Sequence, residues 1–207
     1  FNVLYDINDE SSLNVVFEDI NRSSRVNSSV ANLENMSSTF SKYKKLVSNT
    51  LTDRVRISAK YSYDSNNDSS FIQTAISSIY WQDAEVNDNF SRVVDSVNQT
   101  IEQDKIYSLT NTLIGVNSDF SSDIVLFEKL HKLGYGFDFS ENDGSRTRQT
   151  KNLSTGLTET VKDTPDTKTT RARFYLQDQF NFGDFDFTAG LGYDYYSLNA
   201  DNGLIYN

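Results

Sequence analysis

The chain has 207 residues, a formal net charge of −10, one proline and no cysteine. That length suits one all-β domain, the missing cysteine excludes a disulfide scaffold, thiol catalysis and thiolate metal sites, and the charge argues against nucleic acid as a partner. Aromatic residues reach 13%, more than disordered chains carry, so the chain folds.

Period-two alternation recurs along the chain and helical periodicity is weak. A truncated strand is predicted at 2–8. Leu13, Val15 and Phe17 then alternate with Asn14 and Glu18. Val55, Ile57, Ala59, Tyr61 and Tyr63 alternate with Arg56, Ser58, Lys60 and Ser62. Segments 71–82, 105–117 and 171–182 are strand-like with a less defined apolar face. Leu133, Tyr135, Phe137 and Phe139 alternate with Lys132, Gly134, Gly136 and Asp138. After Gly183-Asp184, the residues Phe185, Phe187, Ala189, Leu191, Tyr193 and Tyr195 alternate with Asp186, Thr188, Gly190, Gly192 and Asp194. The pattern amounts to about eight strands.

These segments reach ten residues or more, whereas globular strands have about five or six and membrane-crossing strands about 9–11. Their apolar faces need cover, which a second sheet supplies in a soluble sandwich and lipid supplies in a barrel wall. No run of about 18 apolar residues exists, so no transmembrane helix is predicted. A mean hydropathy of −0.55 leaves a transmembrane barrel open, since only alternate residues face lipid there. The connections alternate in length. Asn8–Ser12, Asp64–Ser70 and Gly183-Asp184 read as short, 21–52, 83–104 and 141–170 as long, and 118–131 as intermediate. Short periplasmic turns and long extracellular loops produce that rhythm in an outer-membrane barrel.

Aromatics fall into two groups, as interfacial belts do. Tyr61, Tyr63, Phe120, Phe127, Phe180, Phe182, Phe185 and Phe187 lie toward the short turns. Tyr80, Trp81, Tyr193, Tyr195 and Tyr196 lie toward the long loops. The predicted fold is all-β, an antiparallel transmembrane β-barrel segment, with a soluble sandwich or fibre as the alternative. No signal peptide is visible. The start at Phe1 and the end at Asn207 read as cuts in a longer protein.

The stretch KDTPDTKTTRARFYLQDQFNFGDFDFTAGLGYDYY resembles TonB-dependent outer-membrane receptors, nearest to their haem and haemoglobin branch. Lys162, Pro165, Asp166 and Thr167 match a K-x-x-P-D-T/S segment; Phe174, Gln177 and Asp178 match F-x-x-Q-D-E; Gly190, Tyr193, Asp194 and Tyr196 match G-x-R-Y-D-x-Y. Gln179 and Gly192 depart from that pattern, where an acidic residue and an arginine are usual. His131, Leu133 and Gly136 resemble the family's turn and following strand. The resemblance implies a 22-stranded barrel around an N-terminal plug. Residues 1–207 would be part of the barrel, with the plug, the C-terminal strands and the branch's hallmark motifs outside it. It further implies active import of haem, or of haem from a host haem protein, energised by a TonB-type protein, in the bacterial outer membrane. The partners would be that protein, the cargo and outer-membrane lipid. Alternatives are a receptor for a ferric siderophore or other nutrient, a passive porin and, in a different class, a soluble or surface β-rich adhesin.

No grouping of residues suggests an enzyme, and no catalytic, cofactor or metal residue is assigned. His131 sits at a short turn, away from the side that meets ligand, and reads as structural. Asp64, Asp68, Asp83, Glu85 and Asp88 lack EF-hand spacing and read as a solvated acidic loop rather than a calcium site. Arg146, Arg148, Lys151, Lys162, Lys168, Arg171 and Arg173 gather around one long loop. They interleave with Asp143, Glu159, Asp163 and Asp166, as in a mixed solvated loop; attraction of haem propionates or an acidic protein surface is the other reading.

Overall fold

The computed structural model describes residues 1–28, 43–65, 67, 70–96 and 99–201. Eight strands follow one another: β1 (Asn2–Asn8), β2 (Ser11–Ser28), β3 (Tyr43–Asp64), β4 (Thr74–Ser96), β5 (Gln99–Leu126), β6 (Lys129–Asn152), β7 (Thr158–Phe182) and β8 (Phe185–Ala200). They form a single open sheet in sequence order, and every neighbouring pair is antiparallel. No helix occurs among the described residues. The expected strand count and antiparallel order are therefore observed.

The alternating residues line up across strands. Val3, Val15, Ala59, Ile79, Val116, Phe139, Ala172 and Tyr195 form one register row on one face. The neighbouring row on that face holds Tyr5, Leu13, Tyr61, Ser77, Ser118, Phe137, Phe174 and Tyr193. A one-residue slip of any strand would move its whole apolar set to the other face, so burial of this face sets the register. The apolar rows are bare within the sheet: Ile79, Phe174 and Leu191 are 56%, 56% and 71% exposed. Among the described residues, the buried side chains are small ones between larger ones, such as Ala75, Ser118 and Ser122, together with His131.

The turns step along the sheet. Tyr63, Ala75, Phe120, Tyr135, Leu176 and Leu191 share a row. Tyr63 is one residue from the end of β3, whereas Leu191 is six from the start of β8. Such stagger is the shear of strands tilted in a barrel wall.

The segments assigned to long loops are mostly strand. The described residues of 83–104 belong to β4 and β5, and 141–170 belong to β6 and β7 apart from 153–157. Residues 118–131 contain only a two-residue turn, Phe127-Glu128. Within the 21–52 connection, residues 29–42 lie outside the described residues, as do Asp68 and 202–207. The reason is compositional. These stretches carry only scattered apolar residues such as Val86 and Phe90, so sustained hydrophobic alternation is absent, yet Thr147, Thr150, Thr158 and Thr160 still suit a pleated backbone. At 28 residues, β5 spans about 90 Å, while a crossing takes about 9–11 residues. The hairpins project far beyond the apolar rows.

Two turns take different routes round the corner. Gly183 has φ 64° with no positive φ at Asp184, the pattern of a II′ hairpin. Phe127 and Glu128 both have positive φ, 50° and 61°, without glycine to relieve the Cβ clash.

Candidate functional site

Opposite the apolar rows, each strand presents a polar face. Asn14, Glu18, Arg54, Arg56, Lys60, Gln82, Asn117, Asp119, Asp138, Arg173, Gln177 and Asp194 share it by register. Glycines on this face have a defined use. Asp119, Gly136 and Tyr175 form one row across β5, β6 and β7. With no side chain at Gly136, the Tyr175 ring lies across β6, and its hydroxyl donates to Asp119 Oδ1 at 2.6 Å. A Cβ at Gly136 would stand 2.8 Å from that ring and 2.3 Å from the Ser118 carbonyl oxygen. Tyr80 likewise covers Gly115, with a Cβ there 2.4 Å from the ring. Both tyrosines rescue glycines on adjacent strands, and Arg56 sits over the Tyr80 ring at 5.8 Å.

The family comparison decides what these two faces are. The β-barrel model of the TonB dependent receptor-like family matches residues 2–207. The chain belongs to that family. A search of curated proteins finds no match. The chain is thus part of an outer-membrane receptor barrel, a transporter family. In such a wall the apolar rows face lipid and the polar face lines the lumen.

In that frame the aromatics are partly reassigned. Phe180, Phe182, Phe185 and Phe187 do share the lipid face beside the Gly183-Asp184 turn, with Phe180 stacked on Phe187 at 5.6 Å. Trp81, Tyr193 and Tyr195 also lie on it. Tyr80 and Tyr196 do not, because they sit one residue out of phase and pair with Gly115 and Arg171 on the lumen face. His131 faces lipid near the turn end. It is 8% exposed, lies 2.8 Å from Asp178 and stacks on Phe180 at 4.8 Å. That position is structural and remote from the lumen.

The seven basic residues gathered by sequence divide between the faces. Arg146, Arg148, Arg171 and Arg173 face the lumen, whereas Lys151, Lys162 and Lys168 lie on the outer face, above the apolar rows. Two of these lysines are neutralised in place: Lys168 meets Glu141 at 2.5 Å, and Lys162 bonds Asp166. The Lys162 ammonium, helped by the Ser145 hydroxyl, lowers the Asp166 carboxyl below its ordinary range. The Glu141 carboxylate raises Lys168. Pro165, which has no amide hydrogen, falls where the β6–β7 register shifts between Gly144 and Arg146, so no ladder bond is lost to it.

The acidic set separates similarly. Asp83 and Glu85 face outward on β4, Asp88 faces the lumen, and Asp64 ends β3. Among the described residues no three His, Cys, Asp or Glu side chains are placed to hold a metal ion.

Above the apolar rows the two faces carry opposite charge. Among the described side chains of the lumen face, the five register rows from Arg54 to Arg92 hold Arg22, Arg54, Arg92, Lys105, Arg146 and Arg148 against Asp88 and Glu159. Among the described side chains of the outer face at about the same height, Asp19, Asp53, Asp83, Glu85, Glu102, Asp104, Asp143 and Asp166 outnumber Arg25, Lys151, Lys162 and Lys168. Sequence reading missed the aromatic members of this lumen surface, Phe90 and Tyr107. Phe90 fell in a segment read as loop, and only parity counted from Ile79 would have placed it.

Proposed function

We propose that this chain forms part of the wall of an active importer for haem, or for haem taken from a host haem protein. A TonB-type protein would energise it, and a plug and further strands elsewhere in the same receptor would complete it. The observation that carries this reading is the cationic lumen face above the membrane, in a chain whose net charge is −10. Arginine is suited to carboxylates through its planar fork, and haem presents two of them. Tyrosines interleaved with arginines, Tyr80 beside Arg56 and Tyr107 beside Arg146, offer flat rings to a flat cargo. The cationic interior also raises the local concentration of an acidic solute.

The test is growth of an iron-starved bacterium carrying a deletion of the full-length receptor gene. Loss of growth on haem, with growth on ferric siderophores retained, supports the reading. Normal growth on haem with loss on a siderophore replaces haem by that chelate as cargo.

A further inference from the structure

High on the lumen side of the projecting sheet, β4, β5 and β6 bring together Val86, Phe90, Tyr107, Leu109 and Arg146. Val86, Leu109 and Arg146 share one register row. In the next, Tyr107 stands between Asp88 and Arg148. The Phe90 ring meets Tyr107 edge-on, with centroids 5.7 Å apart at 84°. The Arg146 guanidinium lies over the Tyr107 ring at 5.4 Å. Leu109 is 45% exposed beside them, and among the described residues no carboxylate pairs with Arg146.

We infer that Arg146, Tyr107, Phe90 and Leu109 form an outer landing site for a small anion with a flat apolar body, a position the cargo occupies before it descends into the lumen. The inference rests on the reading of this face as the inside of an importer. Three features argue for it together. Leu109 lies five residues beyond Ile114, which shares the outer-face row of Trp81, and this puts the patch about 17 Å further along the strand. No lipid reaches that level on the lumen side, so an exposed leucine between an arginine and two rings needs another explanation. The charge is complementary to an anion, since among the described side chains of the surrounding rows six cations face Asp88 and Glu159, and of the six Arg54 also pairs with Glu18 one row below. The size is that of a small molecule: three strands are about 10 Å across, against roughly 800 Å² per partner in a standard protein interface. The Arg146 guanidinium already rests over the Tyr107 ring, so the fork is held in place before a carboxylate or sulfonate arrives. Asp88, on the far side of Tyr107, repels an anion and biases it toward Arg146.

The test uses the full-length receptor in neutral detergent with 1,3,6,8-pyrenetetrasulfonate, a flat polyanion that stays out of micelles, read by its fluorescence. Wild type binds it with an affinity that falls as salt rises. Arg146→Gln weakens binding about tenfold, the usual effect of losing one charge-assisted contact, and flattens the salt dependence. Tyr107→Leu weakens it as well. Lys168→Gln, on the outer face, leaves binding unchanged. Gel mobility before and after heating confirms that each variant retains its barrel. No binding by wild type, or equal binding by wild type, Arg146→Gln and Tyr107→Leu, overturns the site. The growth assay above separates the two claims. Probe binding lost in the variants, with haem growth independent of the receptor, keeps the site and removes haem as cargo. Haem growth dependent on the receptor, with probe binding unaltered in the variants, does the reverse.

Discussion

Gly134 and Gly136 lie two residues apart on β6 and on the same face, yet replacing them with alanine has different expected consequences. A Cβ at Gly134 meets nothing within 4 Å, whereas one at Gly136 lies 2.3 Å from the Ser118 carbonyl oxygen and 2.8 Å from the Tyr175 ring. The first contact is with backbone in a paired strand, which can move only by distorting the β5–β6 ladder. It is also more than an ångström short of ordinary van der Waals separation. Overpacking of this kind costs about 1–3 kcal/mol, while Gly134→Ala stays within about 0.5 kcal/mol. The second contact adds a coupling. Tyr175 reaches Asp119 only by lying across Gly136, so a methyl group there lifts the ring off and breaks the hydrogen bond. Tyr175→Phe, which keeps the ring and removes the donor, costs about 1 kcal/mol alone and close to nothing in a Gly136→Ala background. The measurement is equilibrium urea unfolding of the full-length receptor in lipid vesicles, followed by tryptophan fluorescence, with all four variants. Equal costs for Gly134→Ala and Gly136→Ala would refute the close-approach argument. Simple additivity of Gly136→Ala and Tyr175→Phe would refute the shared row.

Two further outcomes are expected. Replacing Phe127-Glu128, both at positive φ, with Asn-Gly should stabilise the β5–β6 hairpin by about 1–2 kcal/mol, because this pair favours the left-handed region at both positions; an unchanged or lower unfolding midpoint contradicts the turn geometry. Asp166 has its folded-state pKa lowered chiefly by the bond from Lys162, so its contribution is present above the unfolded value of 3.8 and is lost as pH falls through the folded one. Melting curves at pH 5 and pH 2.5 should therefore show a larger acid-induced drop for wild type than for Asp166→Asn, and identical drops would count against the Lys162 contact.

The lipid-facing part of each strand was legible because one face meets hydrocarbon and the other water. That contrast writes period two directly into Val55–Tyr63 and Phe185–Tyr195. It also placed Gly183-Asp184 at a hairpin and the four flanking phenylalanines on one side. Legibility ended where the solvent becomes the same on both faces. Above Trp81 on β4 and Ile114 on β5 the outer face turns to Asp83 and Thr112, and the apolar signal vanishes while the ladder continues. Propensity alone, threonine among arginines and asparagines, does not mark such a strand. The face of a charged residue was still recoverable. Counting in twos from Phe139 places Arg146 and Arg148 opposite Lys151. That count depends on knowing that the strand persists, which only pairing across the sheet reveals.

The two faces therefore differ in how they change along the strand, and this difference bears on transport. The outer face passes from aromatic rows to an acidic, hydrogen-bonded surface, with Thr112 donating to Asp83 at 2.7 Å and Asn21 to Asp53 at 2.6 Å. The lumen face has no such boundary. Arg173 is followed upward by Arg171, beside Tyr196. Arg56 lies over Tyr80, and Arg146 over Tyr107. On the proposed reading, an anion descending this face would exchange one guanidinium for the next without a change of solvent, with Asp88, Asp138 and Asp194 interspersed among them. Held too strongly at any one of them, it would stop there. Pairing blunts several of these charges: Arg54 with Glu18 at 3.4 Å, Arg173 with Asp194 at 3.7 Å, and Arg92 with the Gln103 carbonyl. The geometry thus combines attraction on the upper lumen face with moderate grip at single positions, which suits the proposed passage of an anion.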